Sequence, residues 1–528
     1  MSSPQSSLTV REAVIDFLRR SGMTAVFGNP GSTELPLFRE FPADFRYVTA
    51  LQESLVVGMA DGYAQATGRA AFVNLHSAAG VGHALGNLYT AYRNQTPLVI
   101  TAGQQVRSML GLEPFLFAED AAQFPKPYVK WSVEPATAAD VPAAIARARY
   151  IAEQAPCGPT FVSIPADDWE QPAEPVPQRT VSRSVRGDAA LLAQLAAALA
   201  AAEKPVFVAG SGVSRDGAYA ALTRLAEQHE APVWTAPRTA RAAFPESHRL
   251  FAGFLPNSRE SVAACLAGHD LIVVFGAPVF TYHMAGSGPF IPAGANLFQL
   301  GDNPGQSAWA AVGTAIVTSL QPAIEELLAS ALPLAVRAAG QGRGAAPAPE
   351  PASSGDGVGV AWLMSRLAAL RPADSLLVEE APSSRSLMQR HLPVDCEDGF
   401  FTCASGGLGH GLPAAVGIAL ARPQQRTLAL MGDGSSLYSI QALWTAAQWQ
   451  VPLTVVIVRN GSYASLLEFA KLFGLPAAEG IALPALDFVQ LASGFGVPAQ
   501  RVTRPEDLDA ALVAAFAANG PALVEVVV

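Results

Sequence analysis

Short apolar runs that stop at a glycine or a polar tip, each followed by a helical stretch, recur through all 528 residues. The first part reads TAVFG, YVTAL, AAFVNL and PLVITAG. The middle reads KPVFVAG, APVWTA, DLIVVFG and NLFQLG, and the last reads SLLVEE, RTLALMG, LTVVIV and ALVEVVV. Runs that are apolar at nearly every position suit strands buried on both faces, and strand–helix alternation builds parallel sheets covered on both sides. No single core serves a chain of this length. Two linker-like stretches, 171–188 and 340–357, interrupt the alternation. The expectation is three doubly wound α/β domains with parallel sheets, at 1–180, 189–338 and 358–528, with a linker at 339–357. At the start, Thr9 and Glu12 form a capping box ahead of a helix that Gly22 stops.

Composition narrows the partners. Half of the residues are hydrophobic and 15% are charged, which suits a folded protein. Net charge is −10 and no Lys/Arg run stands out, so no nucleic-acid partner is expected. MSSPQSSLTVREAV lacks the charged and apolar regions of a secretory signal. AALLAQLAAALAAAEK is too short to span a bilayer, so no membrane partner is expected either. The cysteines at 157, 265, 396 and 403 form no CxxC pair, which suits reduced, buried thiols in the cytoplasm.

In open parallel sheets, ligands bind beyond the carboxyl ends of the strands. LALM ends in Gly432-Asp433-Gly434, and LTVVIV ends in Arg459-Asn460-Gly461-Ser462. A helix expected over 436–450 makes a right-handed crossover, which sets both tips on one edge. A bare buried carboxylate is expensive, and a cation beside Asp433 removes the difficulty. Carboxylate, amide, carbonyl and diphosphate oxygens suit octahedral Mg²⁺, and the serine-rich helix start offers free N–H groups to an anion. Neither GxGxxG nor GxxxxGK occurs here, so NAD and ATP fit less well. In the first part, three tips present Ser32, Glu53 and His76 on one edge.

GDG followed one crossover later by an N-G tip resembles the signature of the thiamine-diphosphate-dependent 2-oxo acid decarboxylases. The resemblance covers essentially the whole chain, as a pyrimidine-binding, a middle and a diphosphate-binding domain. FGNPGS, ADGYAQA, NLHSAAG, TAGQQ, VKWS and ALWTAAQ resemble the branch that acts on aromatic 2-oxo acids. The resemblance implies thiamine diphosphate with Mg²⁺, or Ca²⁺ in its place. Asp433, Asn460 and the carbonyl of Ser462 would hold the metal. Gly432, Gly434, Ser435, Ser436, Tyr463, Ser383 and Ser384 would surround the cofactor's diphosphate end. Gly406 and Leu408, in ASGGLG, would keep the cofactor bent. Glu53 would bond the aminopyrimidine ring and so promote loss of the thiazolium C2 proton.

By the same resemblance, Ser32 binds the substrate carboxylate. His76 moves protons around addition, and His283, in GAPVFTYHM, around the later protonation and product release. Leu466 and Phe469 line an aryl pocket. His83 and His410, on glycine-rich helix starts, read as structural. The implied reaction is non-oxidative decarboxylation of an aromatic 2-oxo acid, benzoylformate foremost, to an aldehyde and carbon dioxide. The implied assembly is a homo-oligomer, a tetramer, with active sites between chains.

Three positions depart from the family pattern. Pro382 in VEEAPSS stands within an expected Asn-Glu-Ser-Thr run, Arg459 replaces an asparagine, and Leu467-Glu468 replace an arginine and an aromatic residue. Other 2-oxo acids, aliphatic or substituted aryl, stay open. A carboligase of the acetolactate-synthase type is a rival, often with a flavin, for which the middle part offers only GSG near Gly210 and GDNP near Gly301. A non-catalytic relative is another rival, and Glu53 argues against it.

Overall fold

The computed structural model describes residues 8–344, 348, 357–475, 479–483 and 486–528. The first seven residues, where the secretory-signal reading begins, and most of the linker expected at 339–357 lie outside them.

Three six-stranded sheets, each wholly parallel, carry the chain. In the first, the order is Arg46–Thr49, Ala25–Gly28, Ala71–Leu75, Leu98–Gln104, Thr160–Pro165, Trp131–Val133. The second runs Phe251–Phe254, Val233–Thr235, Pro205–Ala209, Leu271–Phe275, Asn296–Gly301, Thr314–Val317. The third runs Phe400–Thr402, Leu376–Glu380, Thr427–Gly432, Leu453–Arg459, Ala522–Val527, Ala499–Val502. Three doubly wound domains are thus confirmed. A short antiparallel ribbon, Leu8–Thr9 with Pro172–Ala173, is an unforeseen addition to the first. It leads into the helix Val10–Arg20, which carries the expected Thr9–Glu12 capping box.

The strands that the apolar pattern misses are mostly edge strands: Trp131–Val133, Phe251–Phe254, Thr314–Val317, Phe400–Thr402 and Ala499–Val502. Each is only three or four residues long, too short for its apolar residues to stand out as a run. Thr160–Pro165 is interior but carries hydroxyls. Thr160 Oγ1 donates to the Leu98 carbonyl at 3.1 Å and Ser163 Oγ to Glu134 at 2.7 Å, so both are buried without loss. The crossover expected as one helix over 436–450 is two, Asp433–Leu437 and Ala442–Trp449. Ser436 Oγ donates back to the Asp433 carbonyl at 2.9 Å, a bond that competes with the helix ladder.

The first and last domains share a core, with Leu55, Val56 and Met59 packed among Leu412, Ala415 and Val416. The helices Glu53–Thr67 and Gly411–Ala421 meet backbone to backbone. A methyl on Gly62 would lie 2.1 Å from the Ala414 carbonyl oxygen, and one on Gly417 would lie 1.9 Å from that of Met59. Beside them the buried carboxylate of Asp61 accepts from Asn94 Nδ2 at 2.7 Å, Gln65 Nε2 at 3.2 Å and His410 Nε2. His410 therefore has the structural place expected of it.

All four cysteines are free thiols, but Cys396 is exposed and the others are half-buried, because Cys157 and Cys396 sit in loops, Cys265 ends a helix and Cys403 follows an edge strand. Among the described residues no helix is long and apolar enough to cross a membrane.

Candidate active site

Ser32, Glu53 and His76 follow three neighbouring strands of the first sheet. His76 is the last residue before the helix Ser77–Asn94. Its Nδ1 lies 2.9 Å from Oε2 of Glu34, a side chain that is 1% exposed. Glu34 also accepts from the Gly31 N–H at 2.8 Å, the Gly103 N–H at 2.9 Å and Thr33 Oγ1 at 2.6 Å. An ionised carboxylate only accepts, so the proton sits on Nδ1 and Nε2 is the nitrogen left free. Gly31 makes room for this ring: a methyl there would fall 2.0 Å from His76 Nδ1. Ser32 stands exposed on the same loop. Sequence reasoning missed Glu34, although an acid two residues past a strand-tip serine, in GSTEL, is the signal that marks it.

Glu53 opens its helix and is 8% exposed. Its Oε2 accepts from His83 Nδ1 at 3.0 Å. His83, expected to be structural, thus lies against the Glu53 carboxylate. Gly80 and His83 are three residues apart on one helix, so both face Glu53.

At the edge of the last sheet, Asp433 is 4% exposed. Its carboxylate accepts from the N–H groups of Gly434 at 2.8 Å, Asn460 at 3.1 Å and Gly461 at 2.7 Å. Three backbone amides therefore satisfy this buried acid from within the chain. Asn460 Oδ1 accepts from the Ser462 N–H at 3.0 Å, and its Nδ2 lies 3.5 Å from Ser383 Oγ. Ser435, Ser436 and Ser384 are buried nearby, and Tyr463 closes over Gly434, where a methyl would fall 2.4 Å from the ring. Gly432 precedes Asp433 as the N-cap of the short helix. Arg459 has a different occupation: its guanidinium bonds buried Glu525 at 2.6 Å, which Arg501 also meets at 2.8 Å.

A second overlooked acid holds the turn that contains Gly406 and Leu408. Glu380, 2% exposed, accepts from the N–H groups of Gly409 at 2.6 Å, His410 at 3.0 Å and Gly411. Burial pushes its carboxyl up to about 7. Gly406 is open to solvent and Leu408 is half-buried. The turn is fastened to the first domain by Thr90 on Ser405, 2.8 Å, and by the Ala404 N–H on Asn94 Oδ1, 2.9 Å.

His283, from the middle domain, meets Phe469 of the last domain edge-on, with ring centroids 5.1 Å apart. Burial first, then Arg238, pushes its imidazole below the ordinary histidine range. Leu466 lies on the same helix as Phe469, Ala464–Leu472, and is 48% exposed. Three clusters result, around Glu53, Asp433 and His283. Among the described residues no hydrogen bond joins the Glu53 cluster (Ser32, Glu53, His76) to the other two.

Comparison with known proteins settles what such a chain is. Residues 8–124 match the thiamine pyrophosphate enzyme N-terminal TPP binding domain, 192–327 the central domain and 383–526 the C-terminal TPP binding domain. The chain belongs to the thiamine pyrophosphate enzymes. A benzoylformate decarboxylase of Pseudomonas aeruginosa is 45% identical over 522 residues, 98% of each chain. The crystal structure of benzoylformate decarboxylase from Polynucleobacter necessarius superposes with a TM-score of 0.95 at 40% identity, covering 98% of each chain. The thiamine diphosphate-dependent 4-hydroxybenzoylformate decarboxylase of Rhodococcus jostii gives 0.94 at 41% identity, covering 98% of this chain and 99% of that one.

As in a thiamine pyrophosphate enzyme, the residues present suit thiamine diphosphate. Asp433, Asn460 and Ser462 are linked at one sheet edge, Asp433 accepting the Asn460 N–H and Asn460 Oδ1 the Ser462 N–H. Among the described residues no three acids, histidines or cysteines cluster as a metal cage. One protein carboxylate plus neutral oxygens is what a cation shared with a diphosphate needs. Above Gly406 the space is open, with nothing within 4 Å of where a side chain would stand.

Proposed function

We propose that this protein decarboxylates an aromatic 2-oxo acid, benzoylformate or a ring-substituted form, to the aldehyde and carbon dioxide. The observation that carries this reading is the full-length likeness to a benzoylformate decarboxylase, at 45% identity over 98% of both chains. The geometry around His76 and His283 supports it.

Thiamine diphosphate supplies the electron sink that accepts the pair left when carbon dioxide departs. Asp433, Asn460 and the Ser462 carbonyl would hold Mg²⁺, or Ca²⁺ on the same oxygens. Gly432, Gly434, Ser435, Ser436, Ser383, Ser384 and Tyr463 would enclose the diphosphate, with Gly406 and Leu408 under the ring end. Glu53 would bond the aminopyrimidine. Ser32, exposed beside His76, would receive the substrate carboxylate. His76 would move protons through Nε2, because Glu34 occupies Nδ1. His283, whose imidazole burial and Arg238 push below the ordinary histidine range, would give and take protons at an aromatic wall made by Phe469 and Leu466. Leu467, 43% exposed, and the exposed Glu468 would make the pocket mouth differ from the family pattern.

Among the described residues no hydrogen bond joins the Glu53 cluster to the other clusters, and by the family resemblance a second chain would complete each site. The assembly is then a homodimer at least, and a tetramer as a pair of dimers. Light scattering of the active protein tests this, and a monomeric mass would refute it. Four free thiols suit a cytoplasmic home. A flavin-carrying carboligase fits less well. The cavity beside Ser211, Arg238 and Gly276 in the middle domain holds about 80 Å³, against the roughly 300 Å³ or more of a cofactor pocket.

The deciding experiment is a product assay by NMR with thiamine diphosphate and Mg²⁺. Benzoylformate, 4-hydroxybenzoylformate and pyruvate are offered separately. An aromatic aldehyde with little turnover of pyruvate supports the reading. Acetolactate from pyruvate, with both aryl acids untouched, moves the function to the carboligase.

A further inference from the structure

The helix Ser77–Asn94 lays one face along Glu53. A methyl on Gly80 would stand 3.1 Å from Glu53 Oε1, and His83 Nδ1 lies 3.0 Å from Oε2. The two oxygens thus meet different neighbours, bare backbone on one side and an imidazole on the other. The Glu53 side chain is 11% exposed and that of His83 62%, so the ring covers the carboxylate from outside. Glu53 does not cap its own helix. That task falls to Gln52, whose Oε1 accepts the Ser54 N–H at 2.7 Å. Among the described residues His83 is the one side chain hydrogen-bonded to Glu53.

A pair whose histidine is largely exposed contributes little to stability. A fixed carboxylate orientation matters far more in a reaction that starts from a hydrogen bond to that carboxylate. We propose that His83 is a positioning residue: its Nδ1–H grips Oε2 and so presents one orientation of the Glu53 carboxylate to the aminopyrimidine ring. This rests on the reading of Glu53 given above. Gly80 belongs to the same device, since any side chain there would press on Oε1.

The test uses the full chain reconstituted with thiamine diphosphate and Mg²⁺, as wild type, His83→Ala, His83→Asn and Glu53→Gln. Four quantities are measured: cofactor Kd, near-ultraviolet circular dichroism of the bound cofactor, exchange of its C2 proton by NMR, and Tm. The expected result for His83→Ala is exchange slowed about tenfold and an altered dichroism band, with Kd and Tm unchanged. His83→Asn should restore both signals, because a carboxamide N–H can reach Oε2. Wild-type exchange in His83→Ala, or no rescue by His83→Asn, overturns the proposal. Glu53→Gln separates the two levels. Loss of exchange there with normal exchange in His83→Ala sinks the positioning role alone, and normal exchange in Glu53→Gln removes the premise as well.

Discussion

Glu34 Oε2 lies 2.9 Å from His76 Nδ1, and every other contact of that carboxylate is with an N–H or O–H of its own loop or of Gly103. The acid has no solvent to turn to, so it dictates which imidazole nitrogen carries the proton. Glu34→Ala should therefore lower kcat for benzoylformate by about a hundredfold, while cofactor Kd stays unchanged. Steady-state kinetics with a cofactor titration checks both, and an unaltered kcat would remove Glu34 from the mechanism.

Gly31→Ala should have a similar effect by shape alone. A methyl 2.0 Å from the imidazole leaves no room for the ring as it stands. The expected outcome is a kcat defect close to that of Glu34→Ala, with far-ultraviolet dichroism unchanged. A variant as active as wild type would show that His76 can work from another position.

These two residues also show what a sequence conceals. The three sheets and the tips at Asp433 and Asn460 are legible because apolar runs and glycine-bounded ends are local signals. Edge strands such as Phe400–Thr402 are not, because three residues are too few to show a pattern. Glu34 and Glu380 were hidden for another reason: N–H groups from distant parts of the chain, Gly103 for Glu34 and Gly409 for Glu380, complete each acid's surroundings, and GSTEL is the one local sign of the first. His83 sits on the turn of helix that the eye assigns to packing, and only the approach of two helix faces reveals its carboxylate partner. Arg459, a departure in sequence, is explained by Glu525 and Arg501 across two neighbouring strands.

Metal removal should be reversible and should act through Asp433. Chelation is expected to abolish activity, and Mg²⁺ or Ca²⁺ to restore it. Asp433→Asn keeps the volume but loses the charge and reverses some hydrogen bonds, since its amide cannot accept from Gly434, Asn460 and Gly461 as the carboxylate does. Cofactor affinity should fall by about tenfold to a hundredfold, read by isothermal titration. Tight cofactor binding by Asp433→Asn in chelator would contradict the assignment.

Acid should loosen the middle domain through His229. This ring is 3% exposed, and Arg337 Nη1 lies 3.1 Å from its Nδ1, which must then accept. Burial first, and Arg337 second, push the imidazole down to about 4 from 6.5. Below pH 6.5 the unfolded chain binds a proton that the folded chain refuses, so this contribution to stability is complete above 6.5 and is lost as pH falls toward 4. The loss across that window is roughly 3 kcal/mol. His229→Gln, which keeps an acceptor for Arg337 but cannot titrate, should show a flatter decline. Urea denaturation at pH 7 and pH 4.5 compares them, and parallel declines would refute the role.

The contact at Gly62 and Gly417 works as a keyway. Neither helix can rotate or slide by one residue without driving a side chain into a carbonyl oxygen of the other. Glu53 starts one of these helices, and the turn held by Glu380 leads into the other. The first and last domains are therefore geared together, and heat should release them in one cooperative step, whatever the middle domain does.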